Sequence, residues 1–377
     1  MSSKQHAIVI GGGVAGLGAA WRLVQEGWEV DVFDRHTPGF GASMRAAGML
    51  APAAEAHFEE ELQLGLGQAS LALYPDFVRE LQEESGVDVD YRSQGTLMVG
   101  IDRDDAEALA HVHRYHQKLE LPVEQLSGDQ ARTIEPGLSP TITMGLFCPS
   151  DHQVHPQRLM EALARAFEAR GGRLHTHTGV RAVRLDDAAG RVRGVTLDDG
   201  SHIDAPHVLV ANGAWARKLE GLPRGILPHI RAVRGQVLVV GLGDPPLCQH
   251  VIRAPDAYLV PRAGDQAGGE LVVGATSEER GFDARLTAGG VFELLRGAWE
   301  TLPGIYDAPI LDQWVGFRPV SLANLPALGP TSIEGLFTSL GHGRNGILLA
   351  PLSAQSVSAM MRGEDPHPVV RQLLRRG

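Results

Sequence analysis

The stretch "HAIVIGGGVAGLGAAWRLVQEGWEVDVFD", His6 to Asp34, decides the fold class. A short apolar run leads into three consecutive glycines, apolar residues at helical spacing follow, and a second apolar run ends in an acid. This order predicts a buried parallel strand over Ala7–Ile10, a helix over Ala15–Glu26 that ends at Gly27, and a second strand over Glu29–Asp34. The stretch therefore indicates a strand-helix-strand unit of an α/β fold.

Three glycines in this stretch have the spacing of a dinucleotide-binding turn. Gly11 allows the tight turn, Gly13 lets a pyrophosphate approach the backbone, and Gly16 lets the helix pack closely on the strand. The helix N-terminus attracts phosphates, and Asp34 can accept hydrogen bonds from ribose hydroxyls. The alternative is a glycine-rich turn in an α/β fold that binds no nucleotide. We expect dinucleotide binding, because both strands, the helix and the acid accompany the glycines.

A second glycine loop favours FAD over NAD. The apolar run Leu336–Leu340 predicts a strand, "GHGRNG" follows at Gly341–Gly346, and Ile347–Met361 predicts a helix. An NAD site needs one helix N-terminus, whereas the reduced ring of a flavin carries negative charge that a second helix N-terminus stabilises. We therefore predict FAD, with a nicotinamide dehydrogenase as the remaining alternative.

Composition and charge exclude several function classes. The chain has 377 residues, 43% of them hydrophobic, and a formal net charge of −11 at pH 7. No nucleic-acid partner is expected, because binding to a phosphate backbone needs clustered Lys and Arg. The first apolar run is too short for a signal peptide, and no run reaches membrane-spanning length. We expect a cytoplasmic protein with no membrane partner.

Neither the cysteines nor the histidines predict a metal site. Cys148 and Cys248 are far apart in the sequence, so they indicate neither a disulfide framework nor a ligand cluster, and we interpret them as passive. Asp151, His152 and His155 in "SDHQVHP" precede a predicted helix, and we interpret them as loop and cap residues. No metal is expected.

Further motifs are spread along the chain between Ala7 and Met361. They are "GASMRAAGMLAP" at Gly41–Pro52, "RGQ" at Arg234–Gln236, "YLVPR" at Tyr258–Arg262, "VGAT" at Val273–Thr276, "WVGFRP" at Trp314–Pro319 and "GHGRNGILLAP" at Gly341–Pro351. Together they resemble the D-amino-acid oxidase superfamily of FAD-dependent amine oxidoreductases. Within it, the likeness is greatest to the glycine oxidases of thiamine biosynthesis, although D-amino-acid dehydrogenases and sarcosine oxidases share the scaffold.

The resemblance implies a Rossmann-like α/β domain that binds FAD and a substrate domain built on a mainly antiparallel sheet, so that the chain is α+β overall. The FAD-binding domain would comprise residues 1–86, 150–225 and 322–377, and the substrate domain residues 87–149 and 226–321. Leu159–Ala169 predicts an amphipathic helix, and the alternation in "QVLVV" and "ELVVGAT" predicts strands with one covered face. Short strands are predicted over Val180–Val183, Val192–Leu197 and His207–Val210. Phe58–Glu84 predicts a helical connection, in which we interpret "FEEEL" as a solvated face.

Three residues are candidates for contact with the substrate. A guanidinium fork holds a carboxylate well, and Arg318 stands in the apolar run "WVGFRP" where a core residue is expected. The resemblance implies that Arg318 grips the substrate carboxylate, that Tyr258 gives it a second donor, and that Arg344 lies at the amine side. The alternatives are an internal ion pair for Arg318, a core position for Tyr258 and a surface ion pair for Arg344.

The remaining site residues follow from the glycine loops and from the resemblance. Met49 and Ser277 are expected to line the substrate pocket, and His342 is expected to contribute its backbone beside the flavin rather than to act as a base. Gly346 and Ile347 would offer backbone N–H groups to the ring. The residues expected to bind FAD are Gly11, Gly13, Val14, Ala15, Gly16, Asp34, Arg35, Ser43, Ala47, Gly48, Met49, Val180, Asn212, Gly213, Trp215, His342, Gly343, Arg344, Asn345, Gly346 and Ile347.

The resemblance also implies a reaction. A small amino acid or amine, glycine first, would be oxidised by hydride transfer to FAD, and oxygen would reoxidise the flavin to give hydrogen peroxide. A D-amino-acid dehydrogenase or a sarcosine oxidase is the alternative, and a flavin-binding subunit without catalysis is the alternative from another class. A homo-oligomer is expected.

The positions of the cysteines predict how the flavin is attached. No cysteine follows Cys248, so none lies near the motif that contains Arg318, where some related enzymes attach their flavin covalently. We expect acid precipitation of the purified yellow protein to release all of its FAD into the supernatant, as measured by absorbance. Flavin that stays with the precipitated chain would contradict non-covalent binding.

Overall fold

The computed structural model of the chain describes residues 5–186, 190–264 and 268–375. The helices are α1 (Val14–Gln25), α2 (Glu61–Ser85), α3 (Arg103–Lys118), α4 (Gly128–Ile134), α5 (Pro156–Ala169), α6 (Ala288–Thr301), α7 (Ala350–Met361) and α8 (Pro368–Leu374). The strands are β1 (His6–Ile10), β2 (Glu29–Phe33), β3 (Met49–Leu50), β4 (Thr96–Gly100), β5 (Glu124–Ser127), β6 (Met144–Cys148), β7 (His152–Gln153), β8 (Arg173–His175), β9 (Val180–Asp186), β10 (Arg191–Leu197), β11 (His202–Asp204), β12 (His207–Val210), β13 (Ile230–Gly241), β14 (Val251–Arg253), β15 (Tyr258–Arg262), β16 (Glu270–Gly274), β17 (Ile310–Ser321), β18 (Ala327–Pro330) and β19 (Leu336–Leu340). Short 3₁₀-helices cover Gly213–Lys218, Pro303–Asp307 and Gly343–Asn345.

A parallel sheet forms around the opening stretch of the sequence. Its strand order is β18-β19-β12-β1-β2-β8, and every pair is parallel except β18 with β19. Ala7, Ile8 and Val9 in β1 are fully buried, as expected for a parallel strand covered on both faces. Helices α1, α5 and α7 pack together through the largest apolar cluster of the described residues. The predicted strand-helix-strand unit is confirmed.

A second sheet consists mainly of antiparallel strands. Its order is β17-β13-β16-β15-β14-β4-β6-β5, and only β14 and β4 pair in parallel. The two long strands β13 and β17 pair along almost their whole length and place Val233 opposite Arg318. The α/β class with one mainly antiparallel sheet is therefore confirmed. Because each sheet takes its strands from the segments expected of one domain, we keep the division into 1–86, 150–225 and 322–377 against 87–149 and 226–321 as a proposal.

Two smaller sheets and the long helix α2 complete the fold. Strands β9, β10 and β11 form an antiparallel sheet, and β3 pairs with β7. Helix α2 packs against α5 and α7, and it forms where the pattern of Phe58–Glu84 predicted a helix. Among the described residues, no helix is both long and apolar enough to cross a lipid bilayer.

The helix after the second glycine loop differs from the prediction. The sequence predicted it from Ile347, whereas α7 begins at Ala350. Gly343–Asn345 forms a 3₁₀ turn first, in which the Asn345 N–H bonds to the His342 carbonyl. Leu349, at the N-cap of α7, has a ψ of 2°, which lies outside the helical region, so regular helix begins only after it.

The contact of α1 with β1 depends on a missing side chain. A Cβ atom added to Gly16 would lie 2.0 Å from the Gly11 carbonyl oxygen. We expect Gly16→Ala to lower the free energy of unfolding by about 1–3 kcal/mol, because the helix must move away from the strand. Gly65→Ala in α2 is the matched control, since its Cβ would meet Val369 at 3.7 Å, an ordinary contact.

Urea unfolding of the two variants gives the comparison. Gly65→Ala should keep or raise the stability, by up to about 1 kcal/mol, because alanine loses less backbone entropy in a helix than glycine. Equal stability of the two variants would show that α1 does not need the close contact at Gly16.

Candidate functional site

One cavity lies where the two sheets meet. Its volume is about 690 Å³, within the range of ligand sites. On one side it is lined by residues that directly follow parallel strands, Gly11 after β1, Asp34 after β2 and Ala211 after β12. On the other side it is lined by the second sheet, including Tyr258 and Arg318. Ligands of open α/β folds bind at the carboxyl ends of the strands, so this cavity is the candidate site.

The turn between β1 and α1 presents the backbone to the cavity. The Gly11 N–H bonds to the Phe33 carbonyl at 2.8 Å, which fixes the turn against β2. A Cβ atom on Gly13 would approach only the Ser43 hydroxyl, at 3.3 Å, so this glycine faces open space in the cavity. The first residues of α1 carry no acidic side chain. An N-terminus of this kind suits an anion.

Asp34 lies at the edge of the same turn. Its carboxylate accepts the N–H of Gly12 at 2.7 Å and that of His36 at 2.8 Å. Burial raises the pKa of Asp34, and these two hydrogen bonds offset part of that rise. The neighbouring Arg35 lies on the cavity and forms an ion pair of 3.3 Å with Asp198. The expected contact of Asp34 with a ribose remains a prediction.

The second glycine loop follows β19, the strand beside β12 in the same parallel sheet. His342 is buried, and its Nε2 lies 3.0 Å from the Ser353 hydroxyl. Burial lowers the pKa of His342 to about 4, so its ring is neutral at neutral pH. Gly346 and Ile347 line the cavity. Within the described part of the chain, neither of their backbone N–H groups has an acceptor.

Arg318 is held in the cavity without an acidic partner. Its Nη1 donates to the Thr276 carbonyl at 3.0 Å and, more weakly, to the Arg234 carbonyl at 3.5 Å. Across residues 5–186, 190–264 and 268–375, no carboxylate lies within 4.0 Å of its guanidinium. The structure therefore does not show the internal ion pair that was the alternative for Arg318. A half-buried guanidinium with carbonyl partners and no carboxylate partner among the described residues is suited to binding an anion.

Tyr258 lines the same part of the cavity. It lies in β15 opposite Gly274 of β16. Burial raises the pKa of Tyr258, and the Arg318 guanidinium nearby offsets part of that rise. The phenol is therefore protonated at neutral pH and can donate a hydrogen bond beside Arg318.

Sequence reasoning missed two glycines that make room for these side chains. A Cβ atom on Gly235 would lie 2.5 Å from Nη1 of Arg318, and one on Gly274 would lie 2.4 Å from the Tyr258 ring. Both stand within apolar strand patterns, "RGQVLVV" and "ELVVG". A glycine in a strand often marks the close approach of another group, and this signal could have found both.

Arg344 is paired with two acids. Its Nη2 lies 2.9 Å from a Glu60 oxygen, and its Nε lies 3.4 Å from a Glu55 oxygen. The Asn324 amide donates to the other oxygen of Glu60 at 2.7 Å. Arg344 and Glu55 both line the cavity. Arg344 therefore both lines the cavity and forms the ion pair that was the alternative for it. The segment "FEEEL" is not wholly a solvated face, because Glu60 in it contacts Arg344.

Glu55 and its second partner are further cavity residues that sequence reasoning missed. Arg253 at the end of β14 lies 3.6 Å from Glu55 and donates to the Ala54 carbonyl at 2.7 Å. Both residues line the cavity. Glu55 follows the motif at Gly41–Pro52 in a run of alanines, and an isolated charge in such a run was the available signal.

Comparison with known proteins identifies the family. The model of the family described as DAO, FAD dependent oxidoreductase, matches residues 6–360. The chain belongs to this family. It is 33% identical to a glycine oxidase of Geobacillus kaustophilus over 97% of this chain and 95% of that protein. It is 34% identical to the bifunctional protein ThiO/ThiG of Trichormus variabilis, of which it covers 53%. The crystal structure of glycine oxidase from Bacillus cereus matches with a TM-score of 0.88 and 28% identity, over 97% of this chain and 98% of that one.

Membership of this family confirms the resemblance and makes the protein an FAD-dependent oxidoreductase. The cavity contains the features that FAD requires of a site. They are an exposed helix N-terminus at Gly13 for a pyrophosphate and, at Gly346 and Ile347, N–H groups that have no acceptor among the described residues. Both are backbone features, and the resident side chains leave the space between them open.

Most of the expected site residues line this one cavity. Met49 and Ser277 do so, as expected of substrate-pocket residues. Of the expected FAD contacts, those that line it are Gly11, Gly13, Val14, Ala15, Asp34, Arg35, Ser43, Ala47, Gly48, Met49, Val180, Asn212, Gly213, Trp215, His342, Gly343, Arg344, Gly346 and Ile347. Gly16 and Asn345 lie behind the wall, Gly16 against the Gly11 carbonyl and Asn345 in the buried 3₁₀ turn.

The cysteines and the Asp151 segment lie outside the cavity. Burial raises the pKa of Cys148 and Cys248, so both are passive thiols as expected. The buried Asp151 carboxylate accepts the N–H groups of Ala53 and Ala54, which is a cap on a turn. His155 stands at the N-cap position of α5, but its ring bonds no helix N–H. Among the described residues, no group of three metal-ligating side chains could hold a metal ion.

The open face of Gly13 yields a prediction. Valine fits the extended backbone there, with φ −79° and ψ 178°, but its side chain would fill the space in front of the helix N-terminus. We expect Gly13→Val to fold and to elute from gel filtration without flavin, with Gly13→Ala intermediate. Thermal unfolding and the ratio of absorbance at 450 nm to that at 280 nm provide the two measurements. Normal flavin content in folded Gly13→Val would place the cofactor elsewhere.

Proposed function

We propose that this protein is an oxidase of glycine and other small amines or amino acids, with FAD as the hydride acceptor and oxygen as the final acceptor. The observation that carries the proposal is the Arg318 guanidinium, which faces the cavity beside Tyr258 without an acidic partner among the described residues. The carboxylate of an amino-acid substrate would serve as the acidic partner of Arg318. Similarity to glycine oxidases over nearly the whole chain supports glycine as the first substrate.

In this proposal the protein mainly binds and orients the substrate. Arg318 and Tyr258 hold the carboxylate, which leaves the amine and the adjacent carbon directed towards the part of the cavity that Gly346 and Ile347 line. Bound FAD supplies a two-electron acceptor that takes a hydride from this carbon. Holding the reacting carbon in one orientation lowers the entropic part of the barrier.

No side-chain base is required in this proposal. The amine arrives neutral, and the buried His342, with its pKa lowered to about 4, is bonded to Ser353 and not directed to the substrate. Arg344 lies at the amine side, where its pairing with Glu55 keeps one carboxylate on the cavity. We propose that this carboxylate favours an amino group at that end, because unlike charges attract across a partly desolvated site.

Similarity to ThiO/ThiG proteins supports a role of the oxidation product in thiamine biosynthesis, which we propose as the pathway. We also propose a cytoplasmic protein, because the two cysteines are free thiols. A homo-oligomer is proposed because apolar side chains are exposed, namely Phe292, Trp299, Tyr306 and Ile310. A dehydrogenase or a sarcosine oxidase is the alternative activity, and a non-catalytic flavin subunit the alternative from another class.

Anaerobic reduction of the bound flavin tests the activity. Glycine, sarcosine, D-alanine and ethylamine are mixed with the holoenzyme, and bleaching near 450 nm is followed. We expect glycine to bleach the flavin and ethylamine, which lacks a carboxylate, to react far more slowly. Readmission of air should restore the colour with formation of hydrogen peroxide. A flavin that no amine reduces would support the non-catalytic subunit, and one that air does not reoxidise would support a dehydrogenase.

The role of Arg318 predicts a ranking of variants. Removing one partner of a desolvated ion pair costs about 3–5 kcal/mol, so Arg318→Ala should lower kcat/KM for glycine roughly a hundredfold to a few thousandfold. Tyr258→Phe removes one hydrogen bond to a charged group and should cost only about 1.5–3 kcal/mol. Arg318→Lys keeps the charge without the fork and should recover part of the loss. If Arg318→Ala costs less than Tyr258→Phe, the carboxylate is held elsewhere.

A further inference from the structure

The wall of the cavity at Gly346 and Ile347 is held from behind by a distant helix. The turn Gly346–Leu349 lies between the 3₁₀ turn and α7. Tyr74 of α2 donates its hydroxyl to the Ile347 carbonyl at 2.5 Å, and Ser70 donates its hydroxyl to the Leu348 carbonyl at 2.6 Å. The Leu352 N–H in α7 donates to the same serine oxygen at 3.4 Å. Two hydroxyls of α2 therefore connect this turn to the start of α7.

These hydroxyls are fully enclosed. Ser70 and Tyr74 each have 0% exposed surface. Burial raises the pKa of Tyr74, so the phenol keeps its proton and acts as a donor. Gly67, about one helical turn before Ser70, lets α2 approach, because a Cβ atom there would lie 3.2 Å from the Leu348 side chain. Water has no access to replace either hydrogen bond. Among the described residues, Ser70 is the one donor to the Leu348 carbonyl, so removal of its hydroxyl would leave that buried carbonyl unsatisfied. The Ile347 carbonyl also accepts the Ala350 N–H at 3.1 Å, so removal of the Tyr74 hydroxyl would take away one of its two donors.

The opposite side of the same turn faces the cavity. Gly346 and Ile347 line it, and neither backbone N–H has an acceptor among the described residues. Ile347 is thus fixed through its carbonyl on one side and presents an unsatisfied N–H on the other. The direction of that N–H depends on the hydroxyls that hold the adjacent carbonyls.

We propose that Tyr74 and Ser70 are positioning residues for the flavin, which hold the Gly346–Leu349 turn so that its N–H groups donate to the electron-rich edge of the ring. This rests on the proposed binding of the flavin ring at this wall of the cavity. Donors fixed at that edge stabilise the negative charge of the reduced ring more than they stabilise the neutral oxidised ring. Tyr74 and Ser70 therefore raise the reduction potential without touching the cofactor.

The chain offers a matched control for the loss of a tyrosine hydroxyl. Tyr91 stacks on Tyr74 with ring centroids 6.1 Å apart, but its hydroxyl lies 2.5 Å from His152 Nδ1 and makes no bond to the turn. Tyr91→Phe therefore removes a phenol hydroxyl from the same layer and leaves the turn connected to α2. A loss of stability alone would be shared by Tyr91→Phe and Tyr74→Phe, whereas a change at the flavin would not.

The experiment measures the two-electron reduction potential of the holoenzymes by anaerobic equilibration with reference dyes, without any amine. We expect Tyr74→Phe to lower the equilibrium constant for reduction about tenfold, which corresponds to about 30 mV. Ser70→Ala should shift it in the same direction, and Tyr91→Phe should stay within about twofold of the parent, or about 9 mV. FAD affinity, measured by ultrafiltration, should fall in Tyr74→Phe and Ser70→Ala only.

Each possible result of this experiment leads to a different conclusion. Parent potentials and FAD affinities in both Tyr74→Phe and Ser70→Ala would overturn the proposal, as would an equal shift in Tyr91→Phe. If Tyr74→Phe does not fold, Ser70→Ala decides by the same criterion. Because no substrate is used, a failure here is distinct from a failure of glycine to reduce the flavin, which would overturn the proposed function instead.

Discussion

Close approach of backbone to backbone at Gly11 and Gly16 is the constraint on which the site depends. Without side chains at these positions, α1 begins directly at the carboxyl end of β1, with Gly16 against the Gly11 carbonyl. The N-terminus of α1 therefore points into the space between the two sheets rather than into solvent or core. A helix displaced by the width of one methyl group would carry its N–H groups away from that space. The cavity exists where it does because this one packing contact is so short.

In the second sheet, glycines likewise allow a close approach, here of side chains to the backbone. Gly235 in β13 and Gly274 at the end of β16 leave room that Arg318 and Tyr258 occupy. In a strand interior, glycine weakens the sheet because it has no side chain to pack. Here the lost packing is replaced by a guanidinium and a phenol that lie across the sheet surface and face the cavity. The polar end of the site is thus built into regular strands, which hold it more firmly than a loop would.

Local patterns in the sequence predicted much of this fold. The run from His6 to Asp34 contains its own strand, turn and helix signals, so β1, α1 and β2 could be predicted from neighbouring residues alone. Arg318 was found because a charged residue in an apolar strand conflicts with its surroundings. The start of α7 was predicted too early, because the apolar pattern does not show that the backbone of Leu349 departs from helical geometry.

What the sequence could not predict are contacts between distant segments. The pairing of Arg344 with Glu60 joins residues separated by 284 positions, and the bond from Tyr74 to Ile347 joins residues separated by 273. Each of these side chains has an ordinary local environment, a glutamate in an acidic run or a tyrosine in an amphipathic helix. Their partners are set by how α2 packs on α7, which no local periodicity specifies.

Arg318 and Arg344, two of the arginines that line the cavity, differ in a way that indicates the polarity of the ligand. Arg344 has two carboxylates within 3.4 Å, whereas Arg318 donates to carbonyls and has no carboxylate partner among the described residues. A cation with acids around it adds little net positive field, while one held by carbonyls keeps its charge available to an incoming anion. Arg344 and Arg253 are therefore close to balanced by Glu55 and Glu60, whereas no carboxylate among the described residues offsets the charge of Arg318. A ligand with a carboxylate at one end and an amine at the other fits this gradient in only one orientation, and that orientation directs the amine away from Arg318.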